Sequence, residues 1–305
     1  KRFPVTVAKG PSDSSTSATG LLNISTSTIL FSATEASPLK LLQNYHMRIS
    51  IVTPCFNSAD TLADTIESVL SQTYPDVEHI IIDGGSADGT VKLIQDYAPR
   101  YGGRFRWISE PDGGIYDAIN KGIAMATGDV VGVLNSDDVL TSDDIISTIA
   151  GSISSHKAVY GDVHFVKNDP AGKCVRYYSS SQFRPWQMRF GFMPAHPSFY
   201  CRRPLFNQYG YYDTQYLIAA DFDLLLRYLL KHRIDAIYIP RDFVTMRTGG
   251  ASTSGLASHR RILHEHLKIY RNNHVSSNVF FELLRYPVKA TELLIQRLGL
   301  SNRNP

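Results

Sequence analysis

From Met47 onward, short apolar segments alternate with longer segments of helical periodicity, and this alternation limits the fold more than any other feature. Strands are predicted at Ile49–Thr53, Val77–Ile82, Phe105–Ile108 and Val130–Leu134. Apolar residues at helical spacing separate each strand from the next. This β-α-β-α-β-α-β order predicts a parallel sheet with right-handed crossovers and helices on its faces.

Each of these predicted strands ends in a polar, turn-forming cluster. Because the carboxyl ends of parallel strands lie at one edge of a sheet, we expect the four clusters to converge where open α/β sheets bind ligands. The clusters are Thr53-Pro54-Cys55-Phe56-Asn57, Asp83-Gly84-Gly85-Ser86, Asp112-Gly113-Gly114 and Asn135-Ser136-Asp137-Asp138.

Asp137 and Asp138 directly follow the fourth apolar run. Two adjacent carboxylates at the end of a buried strand suit a hard divalent cation, Mg²⁺ or Mn²⁺, and the phosphates that accompany it. The structural alternative is that these acids cap the helix that follows. No P-loop and no G-x-G-x-x-G sequence follows the first strand, which disfavours a P-loop or dinucleotide-binding enzyme.

Composition indicates a soluble globular protein with a sizeable core, since 43% of the 305 residues are hydrophobic and 19% are charged. The three cysteines show neither zinc-ligand spacing nor a disulfide framework, which favours a reducing, cytosolic setting. No run of eighteen uncharged apolar residues is present, so no membrane-spanning helix is predicted.

Positive charge is concentrated in the last quarter of the chain, where residues 227–305 contain thirteen Lys and Arg against five Asp and Glu. Such a balance indicates an anionic partner: nucleotide phosphates, a lipid-linked phosphate or a membrane surface. No nucleic-acid recognition motif is present, so no nucleic-acid partner is predicted. The amphipathic segment 278–300 is expected to pack on its own domain or in a homodimer interface, and peripheral contact with an anionic membrane is the alternative.

Residues 1–46 differ from the rest, because Ser and Thr recur there without periodicity. They are predicted to be a disordered or non-native extension, with Met47 as the initiator. The expected organisation is then a domain over 47–255, divided into a nucleotide-binding half (47–140) and an acceptor half (141–255), followed by basic amphipathic helices over 256–305.

Several motifs, in order along the chain, together resemble the family 2 glycosyltransferases of the GT-A fold over about residues 47–250. They are Ile51-Val52-Thr53-Pro54-Cys55-Phe56-Asn57, Ile82-Asp83-Gly84-Gly85-Ser86, Asp112-Gly113-Gly114-Ile115-Tyr116-Asp117-Ala118 with Asn120-Lys121-Gly122, Leu134-Asn135-Ser136-Asp137-Asp138, Ala195-His196-Pro197-Ser198-Phe199 and Ala220-Asp221-Phe222-Asp223-Leu224.

This resemblance implies an α/β, Rossmann-like nucleotide-diphospho-sugar transferase with a mostly parallel central sheet, flanking helices and a C-terminal helical extension. It implies inverting, metal-dependent transfer of a sugar from a nucleotide-diphosphate donor, UDP- in preference to GDP-, to a saccharide or lipid-linked acceptor. The expected process is the synthesis of a bacterial-type surface polysaccharide or glycolipid, in the cytoplasm or at the inner face of the cytoplasmic membrane.

The resemblance also assigns roles to individual residues. Asp221 would be the catalytic base. Mn²⁺ or Mg²⁺ would be held by Asp137 and Asp138, whereas Trp186, His196 and Arg247 would contact the acceptor or the diphosphate. The nucleotide sugar would be bound by Thr53, Pro54, Phe56, Asn57, Asp83, Asp112, Lys121, Asn135, Ser136 and Asp137.

Two positions depart from the family pattern, and they keep a second class of function open. Asn135 replaces the first acid of the D-x-D-type motif, and Ala220 replaces the Glu that usually precedes the base. A nucleotide-sugar-binding protein without transfer activity is therefore the alternative. A nucleotidyltransferase is a third interpretation, but the glycine- and lysine-rich loop expected after its first strand is absent. Among the structural alternatives, Asp221 would only cap a helix, and His196 and Trp186 would only belong to the core.

Overall fold

The computed structural model describes residues 47–249, 255–288 and 291. Its strands are β1 (Ile49–Cys55), β2 (Val77–Asp83), β3 (Phe105–Ser109), β4 (Val130–Val133), β5 (Val139–Leu140), β6 (Ala158–Val166), β7 (Arg176–Tyr178), β8 (Tyr200–Arg202) and β9 (Ala236–Arg247). They form one sheet in the order β3-β2-β1-β4-β8-β6-β9-β5, and β7 pairs with β6. The α/β fold class predicted from the sequence is thereby confirmed.

The α-helices of the described residues are α1 (Leu62–Leu70), α2 (Thr90–Tyr97), α3 (Ile115–Met125), α4 (Ile145–Ile153), α5 (Pro204–Tyr209), α6 (Ala220–Leu225), α7 (Gly255–Asn272) and α8 (Val279–Leu283). A π-helical turn, Leu226–Lys231, continues α6, and 3₁₀ turns form at Ala98–Tyr101, Pro185–Phe190 and His196–Ser198. Among these helices, none has both the length and the apolar character needed to cross a bilayer. The predicted extension over 1–46 lies outside the described residues, as does most of 289–305.

The first half of the sheet has the predicted parallel arrangement. β1 pairs in parallel with β2 on one side and with β4 on the other, and β2 pairs in parallel with β3. The second half is mixed, because β8 joins β4 and β6 through antiparallel pairings while β6 and β9 are parallel. The mostly parallel order expected from the sequence thus applies to the first four strands.

Core residues cover both faces of this sheet, which explains the nearly continuous apolar runs of its central strands. On one face, Val52, Ile80 and Val131 belong to a cluster with residues of α3 and α6. On the other, Ile51 and Ile81 belong to a cluster with residues of α1 and α4. The helices therefore occupy both faces and leave the carboxyl edge of β1 to β4 to the loops.

The junction between the two halves depends on a close approach of β4 to a buried aromatic ring. A Cβ placed on Gly132 would lie 2.1 Å from the ring of Tyr200, directly opposite on β8. Tyr200 has no exposed surface, so its ring has no free space into which it could move. Glycine at position 132 is therefore required for the pairing of β4 with β8.

We expect Gly132→Ala to lower the free energy of unfolding by about 1–3 kcal/mol, the usual cost of overpacking a core. Thermal unfolding measures this change. The control is Gly151→Ala, since a Cβ on that α4 residue meets nothing within 4 Å and alanine favours the helix. Equal melting temperatures of the two variants would contradict the role given to Gly132.

Candidate active site

Hydrogen bonds between neighbouring loops draw the ends of the first four strands together. The Gly84 amide donates to the Cys55 carbonyl at 2.9 Å, and the Glu110 amide donates to the carbonyl that ends β2 at 3.0 Å. The hydroxyls of Ser58 and Ser136 lie 2.9 Å apart and connect the loops after β1 and β4. The polar clusters thus form one continuous surface at the sheet edge where such folds bind ligands.

An exposed aromatic ring and a carboxylate flank Gly84 in this surface. Phe56 is 62% exposed, and a Cβ on Gly84 would lie 2.7 Å from Asp112 Oδ2 and 3.3 Å from the Phe56 ring. The other Asp112 oxygen accepts a hydrogen bond from the Gly114 amide at 2.8 Å. A flat apolar face beside a hydrogen-bond acceptor suits a planar ligand with polar edges. We call Phe56, Gly84 and Asp112 the cradle.

Asp83 supports the cradle from inside the protein. It has no exposed surface, and its Oδ2 accepts hydrogen bonds from Ser109 Oγ at 2.6 Å and from the Ser86 amide at 3.0 Å. Burial alone would raise the pKa of this carboxyl, but the hydrogen bonds from Ser109 and Ser86 outweigh it and hold the pKa below its usual range. Both oxygens are occupied with protein donors, so the structure shows Asp83 organising the loop rather than presenting a free acceptor.

The segment after β1 divides into buried and exposed residues. Thr53 and Pro54 are buried, and the Thr53 hydroxyl lies 2.9 Å from His79 Nε2. These two side chains, predicted to line the nucleotide site, do not reach the opening. Asn57 is exposed, has a φ of 49° and is joined to the loop after β2 by two hydrogen bonds. Phe56 and Asn57 are therefore the residues of this segment that a ligand can meet.

The turn after β4 gives its two acids different environments. Asp138 is 1% exposed, and its Oδ2 accepts a hydrogen bond from Asn135 Nδ2 at 2.9 Å. Asp137 is half-buried. Burial raises the pKa of Asp137, and burial together with the Asp137 charge raises the pKa of Asp138 well above its usual range. The surrounding protein thus leaves the negative charge of this turn only partly balanced.

The Arg247 side chain contacts the same turn, but it binds the backbone of the turn and neither of its carboxylates. Its Nη1 donates to the Asp137 carbonyl at 2.5 Å and its Nε to the Asn168 carbonyl at 2.7 Å, and it forms an ion pair with Asp64. Only 12% of the Arg247 side chain is exposed. The structure therefore commits Arg247 to protein partners, which differs from the prediction that it extends toward a diphosphate.

The predicted metal ligands fit a cation in part. Within the described residues, no three His, Cys, Asp or Glu side chains are placed to share a metal ion. Asp137 is partly exposed, whereas Asp138 is turned inward to Asn135. Hard cations such as Mg²⁺ are commonly held by one or two carboxylates together with phosphate oxygens and water. The residues present therefore fit such a cation only in part, since Asp137 offers a single partly exposed carboxylate.

Asp221 lies in the first turn of α6. Burial raises the pKa of its carboxyl to about 6. The Tyr116 hydroxyl donates to the Ile218 carbonyl at 2.5 Å and lies 3.4 Å from Asp221 Oδ1. Because Tyr116 is the second residue of α3, which begins directly after the Asp112 loop, it connects Asp221 to the cradle. A half-buried carboxyl with this pKa is suited to accept a proton near neutral pH.

A buried histidine supports this arrangement through a tyrosine. The rings of Tyr116 and Tyr212 stack at 5.8 Å, and His196 Nε2 lies 2.6 Å from the Tyr212 hydroxyl. His196 is 9% exposed, and burial lowers its pKa to about 4, so it is neutral at pH 7. Asn120 exchanges two hydrogen bonds with the Tyr212 backbone. The structure thus places His196 behind the site, where it orients Tyr212.

The two remaining predicted residues, Lys121 and Trp186, contact neighbouring groups of the protein. Lys121 Nζ forms an ion pair with Glu110 at 2.8 Å and donates to the Pro111 carbonyl at 3.3 Å, so it braces the loop before Asp112. Trp186 is 57% exposed and packs edge-on against Phe190 with the ring centroids 5.8 Å apart. Its neighbours are therefore aromatic residues near the C-terminal helices.

Sequence reasoning missed residues that act through their neighbours. Tyr116 lies inside the motif over residues 112–118, from which only the acid Asp112 is assigned to the site. Because Tyr116 and Asp221 are far apart in sequence, no local pattern predicts their contact. Tyr212 and Glu265 belong to no motif at all. Glu265 accepts hydrogen bonds from three backbone amides just before Asp221, and no local pattern signals such a contact.

Comparisons with known proteins agree with this geometry. Residues 50–210 match the model of the family described as "Glycosyl transferase family 2". A "PGL/p-HBAD biosynthesis glycosyltransferase" of Mycobacterium bovis is 32% identical over 181 residues, which are 58% of this chain and 68% of the relative. The chain belongs to glycosyl transferase family 2, and it is a glycosyltransferase.

Solved structures support the same fold. TarS 1-349 of S. aureus in complex with UDP-GlcNAc aligns with a TM-score of 0.56 at 19% identity, over 72% of this chain and 66% of that one. The mannosyltransferase PcManGT of Pyrobaculum calidifontis, in complex with GDP-Man and Mn²⁺, aligns with a TM-score of 0.54 at 17% identity, over 77% of this chain and 66% of that one. This chain spans 43% of a longer TarS structure. The GT-A fold predicted from the sequence is thereby supported.

The raised pKa of Asp138 predicts a pH-dependent stability. The folded state holds the Asp138 proton more tightly than the unfolded state, whose carboxyl pKa is about 3.9. This contribution is complete below that value and is lost as pH rises through the folded-state pKa. In EDTA, we therefore expect Asp138→Asn to gain melting temperature relative to wild type as pH rises from about 4 to 7. The control is Asp60→Asn, an exposed position, and a constant difference between Asp138→Asn and wild type across this range would contradict the prediction.

Proposed function

We propose that this chain is an inverting glycosyltransferase that moves a sugar from a nucleotide-diphosphate donor, UDP- in preference to GDP-, to a saccharide or lipid-linked acceptor. The expected product is a surface polysaccharide or glycolipid. The observation that carries this proposal is the link from the cradle through Tyr116 to Asp221. It joins a surface suited to a nucleobase with a carboxyl suited to act as a base.

The chemistry follows from this placement. Asp221 would take the proton from an acceptor hydroxyl while that oxygen bonds to the anomeric carbon of the donor. The bond from the anomeric carbon to the diphosphate breaks, and the nucleoside diphosphate leaves with the electron pair. Attack from the face opposite the leaving group inverts the anomeric configuration. The Phe222 amide, which donates to Asp221 Oδ1 at 2.7 Å, would hold the carboxylate in the orientation that this transfer needs, with the Tyr116 hydroxyl close by.

Asp137 would hold Mn²⁺ or Mg²⁺ together with the donor diphosphate. Such a cation, when bound, neutralises charge on the leaving group. The unbalanced charge of the Asp137–Asp138 turn supports this assignment. The PcManGT complex contains both GDP-Man and Mn²⁺, whereas the TarS complex contains UDP-GlcNAc. Both donor classes therefore belong in the test.

Apolar side chains beside Asp221 support an acceptor with an apolar portion. Ile115 is 47% exposed and Leu217 is 60% exposed. Each is the sequence neighbour of a residue in the hydrogen bond between Tyr116 and Ile218, so both belong to the segments that meet beside Asp221. A lipid-linked acceptor would use such surfaces on its apolar side.

The C-terminal helices support a peripheral position at the inner face of the cytoplasmic membrane. Phe280 is 65% exposed, Leu283 48% and Leu284 38%, and their spacing places them on one side of α8. Ring contacts lead from Phe280 to Phe281, from Phe281 to Phe190, and from Phe190 to the exposed Trp186. The excess of basic residues over 227–305 complements anionic lipid headgroups.

We expect Asp221→Asn to lower kcat by about 10²- to 10⁴-fold, the usual contribution of a general base, while donor binding persists. Release of nucleoside diphosphate from UDP- and GDP-sugars, with an acceptor extract supplied, measures this. In wild type, kcat should rise with pH through about 6, because Asp221 must lose its proton to act.

The control is Asp223→Asn, which removes a buried acid two residues along the same helix. The same assay with and without Mn²⁺, in wild type and Asp137→Asn, tests the cation. Donor binding without any turnover would instead favour a nucleotide-sugar-binding protein.

Membrane contact is tested with vesicles of phosphatidylcholine and phosphatidylglycerol. We expect wild type to sediment with them and the variant Phe280→Ser/Leu284→Ser to lose most of this binding, because apolar area drives insertion at the interface. Val175→Ser is the matched control, since Val175 is 50% exposed but lies elsewhere, just before β7. Equal binding of the three proteins would exclude α8 as the contact.

A further inference from the structure

The C-terminal helix α7 reaches the backbone that precedes Asp221. Glu265 is 7% exposed, and its Oε1 accepts a hydrogen bond from the Leu217 amide at 3.0 Å. Its Oε2 accepts from the Ile218 amide at 3.0 Å and from the Ala219 amide at 2.9 Å. One carboxylate thereby fixes three consecutive residues of the loop that leads into α6.

These three residues directly precede α6, which begins at Ala220, so their amides lie outside its ladder of hydrogen bonds. The residue at the cap position is Ala219, and no side chain forms a cap hydrogen bond there. The Glu265 carboxylate of α7 therefore holds the backbone that leads into the helix, and its negative charge also favours a helix N-terminus.

The next residue of α7 holds the other side of Asp221. The His266 ring stacks on Phe222 with centroids 3.9 Å apart at an angle of 14°. His266 Nδ1 lies 2.9 Å from Glu282 Oε1, and Glu282 of α8 has no exposed surface. Two consecutive residues of α7 therefore bracket Asp221, one through the backbone before it and one through the side chain after it.

We propose that Glu265 is a positioning residue for glycosyl transfer, which sets the orientation of the Asp221 carboxylate by holding the backbone over residues 217–219. This inference rests on the proposed function, because it takes Asp221 as the base. The hydrogen bond from Tyr116 to the Ile218 carbonyl makes the link direct. Glu265 holds the amide of the same residue whose carbonyl Tyr116 holds, so a shift of this loop moves Asp221 relative to the cradle.

The test is Glu265→Gln, which keeps the size of the side chain but replaces one acceptor oxygen with an amide group that cannot accept a hydrogen bond. We expect kcat to fall about 10- to 100-fold, the effect of a displacement of order 1 Å at a catalytic group. Calorimetry with the nucleoside diphosphate measures binding at the donor site. The Kd should stay within about twofold of wild type, because the cradle residues lie on other loops.

A double-mutant cycle separates positioning from general stability. In the Asp221→Asn background, Glu265→Gln should have no further effect on kcat beyond about threefold, because residues that act as a unit are not additive. Asp223→Asn is the matched control, since Asp223 is 3% exposed and pairs with Arg227 and Asn273 instead. It should lower the melting temperature and leave kcat close to wild type.

Three outcomes would overturn the proposal: an unchanged kcat in Glu265→Gln, an equal loss of kcat in Asp223→Asn, or additive effects in the cycle. If Asp221→Asn itself retains wild-type turnover, the assignment of the base fails, and the positioning role fails with it. If Glu265→Gln does not fold, Glu265→Asp carries the same test, because it keeps the charge and withdraws the oxygens by one methylene.

Discussion

The parallel pairing of β1 with both β2 and β4 is the constraint on which the rest of the site depends. This pairing places Cys55 opposite Asp83 and Val52 opposite Val133, so three loops leave the sheet at one level. A slip of one residue would exchange the buried faces of β1, and since both faces are packed the register is strongly specified. This register therefore fixes the positions of the cradle and of the Asp137–Asp138 turn.

The carboxylates around the site fall into two physical groups. Asp83 and Glu265 are surrounded by donors and fix backbone, which makes them structural anchors for the loops they hold. Asp138 and Asp221 each accept a hydrogen bond, from Asn135 and from the Phe222 amide, but burial still raises the pKa of both, as it does for Asp137. Carboxyls whose burial is only partly compensated are where a protein can gain free energy from a cation or a proton. The first group of carboxylates thus holds the loops of the site in place, and the second group is available for binding and proton transfer.

The sequence predicts the first four strands and the convergence of their loops, because each strand is an apolar run that ends in turn-forming residues. It does not predict β5, β7 and β8, since strands of two or three residues show no periodicity. At the site, motifs make Asp221 and Asp137 candidates, whereas the protein partners of Arg247 lie far away in sequence and leave no local pattern. Glu265 illustrates the same limit, because a carboxylate that holds a loop about 46 residues away leaves no local pattern.

The strand order has a consequence for synthesis on the ribosome. The sheet from β3 to β4 can pair once residue 133 has emerged, whereas β6 lies between β8 and β9 and cannot complete its pairings until residue 247 is available. Until then, the edge of β6 that pairs with β9 is open to other strands. Such long-range pairing slows folding and exposes unpaired edges to aggregation. The half of the chain that carries Asp221 is thus the part most exposed to aggregation before its strands have paired.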